Sequence, residues 1–156
     1  MFSSDLYMWA SDSDLPNQSR IDKTDTEHAK SKRSKPIILV VDDEHLIAET
    51  TGQILKRAGY HALTAFDGDA ALALAIQFEP DIVLTDVVMP GMSGVDLAIA
   101  IRRSLPNTEV VLFSGQAGIM DLLKNGHNHG YSFELIAKPV HPERILERIK
   151  KLLSNK

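Results

Sequence analysis

Between residues 36 and 154 short apolar runs alternate with amphipathic segments, and this rhythm is what most narrows the folds open to the chain. Ile37–Val41, Ile82–Thr85 and Val110–Phe113 are apolar almost throughout, as strands buried on both faces are. His61–Phe66 is more polar, and Phe133–Ala137 closes the series. Between the runs, apolar residues return at helical spacing. Leu46, Ile47, Ile54, Leu55 and Ala58 form the expected core stripe of a helix from about Glu44 to Ala58, which Gly59 stops. Asp67 is placed to cap a second helix that runs through Phe78, with Ala70, Ala71, Leu74 and Phe78 facing a core. Ser93 or Gly94 opens a third, marked by Leu97, Ala98, Ile101 and Leu105. A short helix is expected around Ile119–Asn125, stopped by Gly126. The last begins at His141-Pro142, with proline at its favoured first position, and carries Ile145, Leu146, Ile149, Leu152 and Leu153.

Strands that alternate with helices imply a parallel sheet with helices on both faces. The first, third and fourth strands are the most apolar and belong in the centre, while the second suits an edge. The expected fold is a doubly wound α/β sheet of five strands in the order 2-1-3-4-5, whose ligand crevice lies beyond the carboxyl ends of strands one and three.

A chain of 156 residues has room for one such domain, at 36–154, preceded by a polar segment at 1–35 without apolar periodicity, which reads as a disordered tail. Within the tail, an apolar-aromatic patch (Phe2, Leu6, Tyr7, Trp9) and a basic cluster (Lys30 to Lys35) are read as parts of a solvated leader rather than as a docking peptide or polyanion contact. The absence of cysteine excludes disulfides, thiolate metal sites and cysteine nucleophiles. A net charge of −4 is too mild to suggest nucleic-acid wrapping or membrane adsorption. There is no apolar run of spanning length and no signal-peptide pattern, so a cytoplasmic location is expected.

Reading the residue that ends each apolar run locates the chemistry. Strand one ends in Asp42-Asp43, strand three in Asp86, strand four in Ser114 and strand five in Lys138. Taken singly, each has a plain structural role: an acidic helix cap, a turn residue before Pro90, an ordinary Ser-Gly turn, a Lys-Pro dipeptide. Taken together they put three carboxylates, a hydroxyl and a cation on one rim. Two carboxylates about 4 Å apart at an effective dielectric near 20 repel by about 4 kcal/mol before relief. Such a site either raises a carboxylate pKa or recruits a cation. Hard oxygen donors without His or Cys suit Mg²⁺, which favours one or two carboxylates plus a phosphate. Lys138 and Ser114 add a point charge and a hydrogen-bond donor. Phosphoryl transfer to a carboxylate uses all five groups.

The segments VVDDE (Val40–Glu44), TDVVMPGMSG (Thr85–Gly94), FSG (Phe113–Gly115) and AKP (Ala137–Pro139) resemble, in order and spacing, the signatures of two-component response-regulator receiver domains. The likeness runs from Pro36 to about Leu153 and suggests a stand-alone, chemotaxis-regulator-like receiver of flavodoxin-like fold. It implies that Asp86 is the phospho-acceptor, Asp43 a direct Mg²⁺ ligand, Asp42 a partner acting through water, and the Val88 carbonyl a further ligand. It implies that Ser114 is the switch hydroxyl and Lys138 the family's invariant lysine, with a cis bond to Pro139. A histidine kinase or histidine phosphotransfer protein is the implied donor. Slow self-phosphorylation and self-hydrolysis are implied, without the turnover of an enzyme.

Two departures bear on output. The aromatic that the family usually carries three residues before the lysine is Leu135 here, and the stretch NGHNHGYS makes the fourth helix short or irregular. His127 and His129 lie in it without an acidic partner nearby and are read as turn residues rather than metal ligands. With the chain ending at Lys156 and no DNA-binding helix pair, output is expected through a protein bound to the face formed by the fourth helix, the fifth strand and the last helix. The rival readings are an Mg²⁺-dependent phosphohydrolase, a flavin-binding module and a pseudo-receiver that only binds partners. The adjacent acids of strand one disfavour the first, the lack of a Ser/Thr/Gly-rich phosphate loop disfavours the second, and the complete acidic set disfavours the third.

Overall fold

The computed structural model describes residues 33–115, Lys124, His127 and 130–156. Residues Lys35–Lys156 make one compact unit. Its described elements are β1 (Ile37–Val41), α1 (His45–Arg57), β2 (His61–Ala65), α2 (Gly68–Phe78), β3 (Ile82–Asp86), α3 (Gly94–Ser104), β4 (Glu109–Ser114), β5 (Glu134–Ala137) and α4 (Pro142–Ser154). The tail residues 1–32, the helix expected at 119–125 and His129 lie outside the described residues.

The strands form one parallel sheet in the order β2-β1-β3-β4-β5, the order read from the apolar runs. Alternation of side chains along the strands divides the core in two. Leu39, Val41, Val83, Val110 and Leu112 face α2 and α3, whose Ala71, Ala75, Val95, Leu97, Ala98 and Ile101 complete one cluster. Ile38, Val40, Ile82, Leu84, Val111 and Phe113 face α1 and α4, against Ala48, Leu55 and Ile149. Slipping a strand by one residue would exchange these faces, so the register has to be held. Asp81 does this below the sheet: its carboxylate accepts from Ile37 N–H at 2.9 Å, and its own N–H donates to the Ile37 carbonyl at 2.8 Å. Nearby, the buried Thr108 hydroxyl donates to the Pro80 carbonyl at 2.8 Å.

Helix ends follow local chemistry. Asp67 and Ser93 accept from the N–H groups of Ala70 and Asp96, capping α2 and α3. Pro142 occupies the first turn of α4. The last turns of α1 and α3 carry Lys56-Arg57 and Arg102-Arg103, which suits the negative ends of their dipoles.

The stripes of α1 and α2 differ from expectation. On α1 the buried residues are Ala48, Gly52 and Leu55, whereas Leu46 is 77% exposed and Ile47 37%. The helix lies so close to the sheet that a Cβ on Gly52 would meet Thr64 Cγ2 at 3.0 Å, so small residues form its contact face. Leu46 and Ile47 belong to its first turn, at the rim of the sheet where α1 begins. On α2, Ala70 is exposed and Ala75 is buried in its place. Leu55→Ala is therefore expected to cost about 2–5 kcal/mol of stability, and Leu46→Ser to stay within about 0.5 kcal/mol. Chemical denaturation of the two variants checks this division of α1 into a buried and a free end.

Candidate functional site

The parallel register determines what meets at the carboxyl edge. Val41 is level with Thr85, so Asp42 follows beside Asp86. Ser114 is level with Ala137, so Lys138 follows one step above. Asp42, Asp86 and Lys138 also share the alternation of Val40, Leu84 and Ile136, and so lean toward the α1–α4 side of the sheet.

Lys138 is the centre of the arrangement. Its Nζ donates to Asp42 Oδ2 at 2.9 Å and lies 3.4 Å from Asp86 Oδ2. Asp42 is buried, Asp86 partly so, and Asp43 is exposed. Burial pushes the Asp86 carboxyl above the usual carboxylate range; the charge of Lys138 pulls it back, the Asp42 charge adds to the rise, and hydrogen bonds from Lys138 and the Val87 N–H oppose it. For Lys138, burial acts to lower the pKa, but the bond to and charge of Asp42, followed by the charge of and bond to Asp86, outweigh it and hold the ammonium above its ordinary range.

Asp42, Asp43 and Asp86 each bring a carboxylate oxygen within 4.8 Å of the other two. This all-oxygen donor set fits a hard divalent cation such as Mg²⁺. His127, the described member of the histidine pair, is exposed and outside this cluster. A cavity of about 280 Å³ lies over the site, lined by Glu44, Asp86, Val88, Ser114, Gly115 and Lys138. A second, of about 440 Å³, extends beneath Asp42, Asp86 and Lys138 and is walled mainly by apolar residues, among them Ile47, Phe113, Val140 and Ile145. The Lys138–Pro139 bond is cis.

Three residues support the site through contacts that the sequence does not reveal. The buried Thr85 donates its hydroxyl to the Asp86 carbonyl at 3.0 Å. Gly94 packs on that same carbonyl so tightly that an added Cβ would sit 2.0 Å from the oxygen, while its N–H donates to the Val87 carbonyl at 2.8 Å. Glu44 donates its N–H to Asp42 Oδ1 at 3.0 Å and so orients that carboxylate. As sequence signals, Thr85 is a strand residue, Gly94 a helix-start glycine and Glu44 a cap-position acid; their contacts with the site are tertiary.

A family model for the response regulator receiver domain matches residues 38–150. The chain belongs to the response regulator receiver family. The probable transcriptional regulatory protein TcrX of Mycobacterium tuberculosis is 34% identical over 116 residues, which cover 74% of this chain and 49% of that protein. The chain thus spans about half the length of that regulator. A CheY-like receiver domain protein from Methanospirillum hungatei superposes with a TM-score of 0.70 at 30% identity, covering 78% of this chain and 96% of that chain. The Vibrio cholerae chemotaxis protein CheY4 gives 0.67 at 27%, with 76% and 99% covered. The receiver domain of Brucella abortus NtrX gives 0.66 at 31%, again with 76% and 99% covered.

Two outcomes are expected from the site's packing and charge. Gly94→Ala must displace the Asp86 carbonyl, at a cost of about 1–3 kcal/mol for overpacking, and its melting temperature should fall accordingly. A carboxyl whose folded pKa lies above its unfolded value favours folding when protonated, and that contribution is lost as pH rises from the unfolded pKa through the folded one. Asp86→Asn, which never ionises, should accordingly be more stable than the parent protein at pH 7 in chelator. The gap should close below about pH 4, where the parent carboxyl is neutral in both states; melting temperatures across that range check it.

Proposed function

We propose that this receiver accepts a phosphoryl group on Asp86 from a histidine kinase or histidine phosphotransfer protein, and passes the signal on through protein contacts. The observation that carries the reading is the arrangement around Asp86: a partly buried carboxylate facing a small cavity, with a cation on one side and two further acids within reach of a shared metal ion. Asp43, Asp42, Asp86 and the Val88 carbonyl are the groups proposed to hold Mg²⁺. When bound, the ion supplies charge neutralisation for the acids and the transferring phosphoryl oxygens.

The chain's own residues supply the rest. An Asp86 carboxylate oxygen attacks phosphorus, positioned from behind by Thr85 and Gly94 at its carbonyl. Lys138, already between Asp42 and Asp86, is placed to hold a phosphoryl oxygen once the acceptor is phosphorylated. Ser114, buried at the end of β4, is proposed as the hydroxyl that moves onto the phosphoryl group. Hydrolysis of the acyl phosphate resets the protein slowly, without the turnover of an enzyme. We further propose residues 36–154 as the functional module, residues 1–35 as a tail, and a cytoplasmic setting. No described helix is long and apolar enough to cross a membrane.

Output is proposed through the face that includes β5 and α4. Arg148 of α4 is ion-paired to Glu134 of β5, and Leu135 is 39% exposed between them and the rim. Leucine offers less volume to relocate than the usual aromatic, so a smaller free-energy shift on phosphorylation is proposed. In the test of the reading, acetyl phosphate or a phosphohistidine donor should label the parent protein in Mg²⁺, and chelator should stop it. Asp86→Asn should remove the label entirely, and Asp43→Ala should lose most of it, with folding checked by circular dichroism. Label persisting in Asp86→Asn, or sustained turnover of phosphate monoesters, would overturn the proposal.

A further inference from the structure

The small cavity over Asp86 has a floor and a mouth of different character. Asp86, Ser114 and Lys138 are partly or wholly buried and form the floor. Glu44, Val88 and Gly115 are exposed and form the mouth: one acid, one apolar side chain and one residue with no side chain. Glu44 therefore carries the only charge at the mouth among these lining residues. Its backbone is committed, since it is the N-cap of α1 and its N–H donates to Asp42 Oδ1 at 3.0 Å. Its side chain makes no cap hydrogen bond, which leaves the carboxylate to act on what enters the cavity.

We infer that Glu44 is a donor-selectivity residue, favouring phosphoryl donors whose leaving atom is a nitrogen that departs without negative charge over donors whose leaving group departs as an anion. The inference rests on Asp86 being the acceptor. In an in-line displacement the leaving atom lies opposite the attacking Asp86 oxygen, and so toward the mouth. With acetyl phosphate, the new bond is Asp86 O–P, the P–O bond breaks, and its electron pair leaves with acetate. Negative charge then grows beside Glu44. With phosphoramidate, the P–N bond of the protonated donor breaks, its electron pair stays on nitrogen, and neutral ammonia departs. The nitrogen keeps part of its positive charge until the bond is broken, and Glu44 attracts it. A phosphohistidine protonated on its ring belongs to the second class, with neutral imidazole as the leaving group. A single charge lining the same cavity, in partly screened surroundings, is expected to change a rate constant by about fivefold, equal to about 1 kcal/mol.

The test compares second-order labelling rate constants of the full chain with acetyl phosphate and with phosphoramidate, at saturating Mg²⁺. Glu44→Gln removes the charge but keeps the shape and the backbone bond to Asp42; Glu44→Lys reverses the charge. Glu44→Gln should speed labelling by acetyl phosphate about fivefold and slow labelling by phosphoramidate by a similar factor, with Glu44→Lys going further both ways. The difference should shrink in about 1 M salt, where charges are screened beyond about 3 Å. A weakened metal site or a disturbed α1 would move both donors in the same direction, so parallel changes, or an unchanged ratio, would overturn the role of Glu44 while leaving Asp86 as acceptor. If neither small donor labels the parent protein, the inference is overturned, and labelling by a phosphohistidine donor then tests Asp86 as acceptor separately.

Discussion

Like charges crowded at one edge of the sheet are the constraint on which the rest of this molecule turns. The parallel register sets Asp42 beside Asp86 whether or not their charges agree, because it is held by backbone ladders and by Asp81 at the opposite edge. Relief comes from Lys138, ninety-six residues away in sequence from Asp42, whose ammonium bonds Asp42 and reaches toward Asp86. The relief is incomplete. Asp86 still sits above the usual carboxylate range, and three carboxylate oxygens still converge. A pocket in that condition suits a divalent cation and the conversion of one acid into an acyl phosphate, which is the chemistry proposed for it.

Close backbone packing holds Asp86 in place. The Asp86 carbonyl is bonded by Thr85 and covered by Gly94, and Val87 is tied to both Phe113 and Gly94 through its N–H and carbonyl. A second contact of this type joins the loop after β3 to α2, where a Cβ on Gly68 would meet the Met92 side chain at 2.7 Å. The loop that carries the site is thus gripped by two helices at positions where only hydrogen fits. Such packing limits the motion of Asp86, while Glu44 and Val88 at the rim stay exposed.

The apolar cavity beneath the site follows from the arrangement of α1 and α4. Both pack on the same face of the sheet, and the cavity reaches Ile47 and Thr51 on one and Ile145 on the other, with the Lys138-Pro139-Val140 link at its edge. A stripe including Leu46 and Ile47 would have filled that end of the core. The helix instead presents Ala48 and Gly52 to the sheet and carries its larger side chains to the rim, so the polar site is bordered by exposed apolar residues on the α1 side.

Much of this was legible in the chain alone. Among the described residues, the element order, the strand order and the polar residue at each strand end could be read directly, because strand and helix periods, caps and turn residues are local properties of a few neighbouring positions. The central strands announced themselves as unbroken apolar runs, and Asp67, Ser93 and Pro142 marked their helix starts. What the tertiary structure alone decided were relations between segments far apart: which residues of α1 touch the sheet, that Lys138 bonds Asp42 more closely than Asp86, that Gly94 presses on the Asp86 carbonyl, and that Glu44 stands at the cavity mouth. Periodicity states only that a helix has an apolar side. How near that side approaches a sheet, and which atoms meet across a rim, depend on register and packing set by the whole fold.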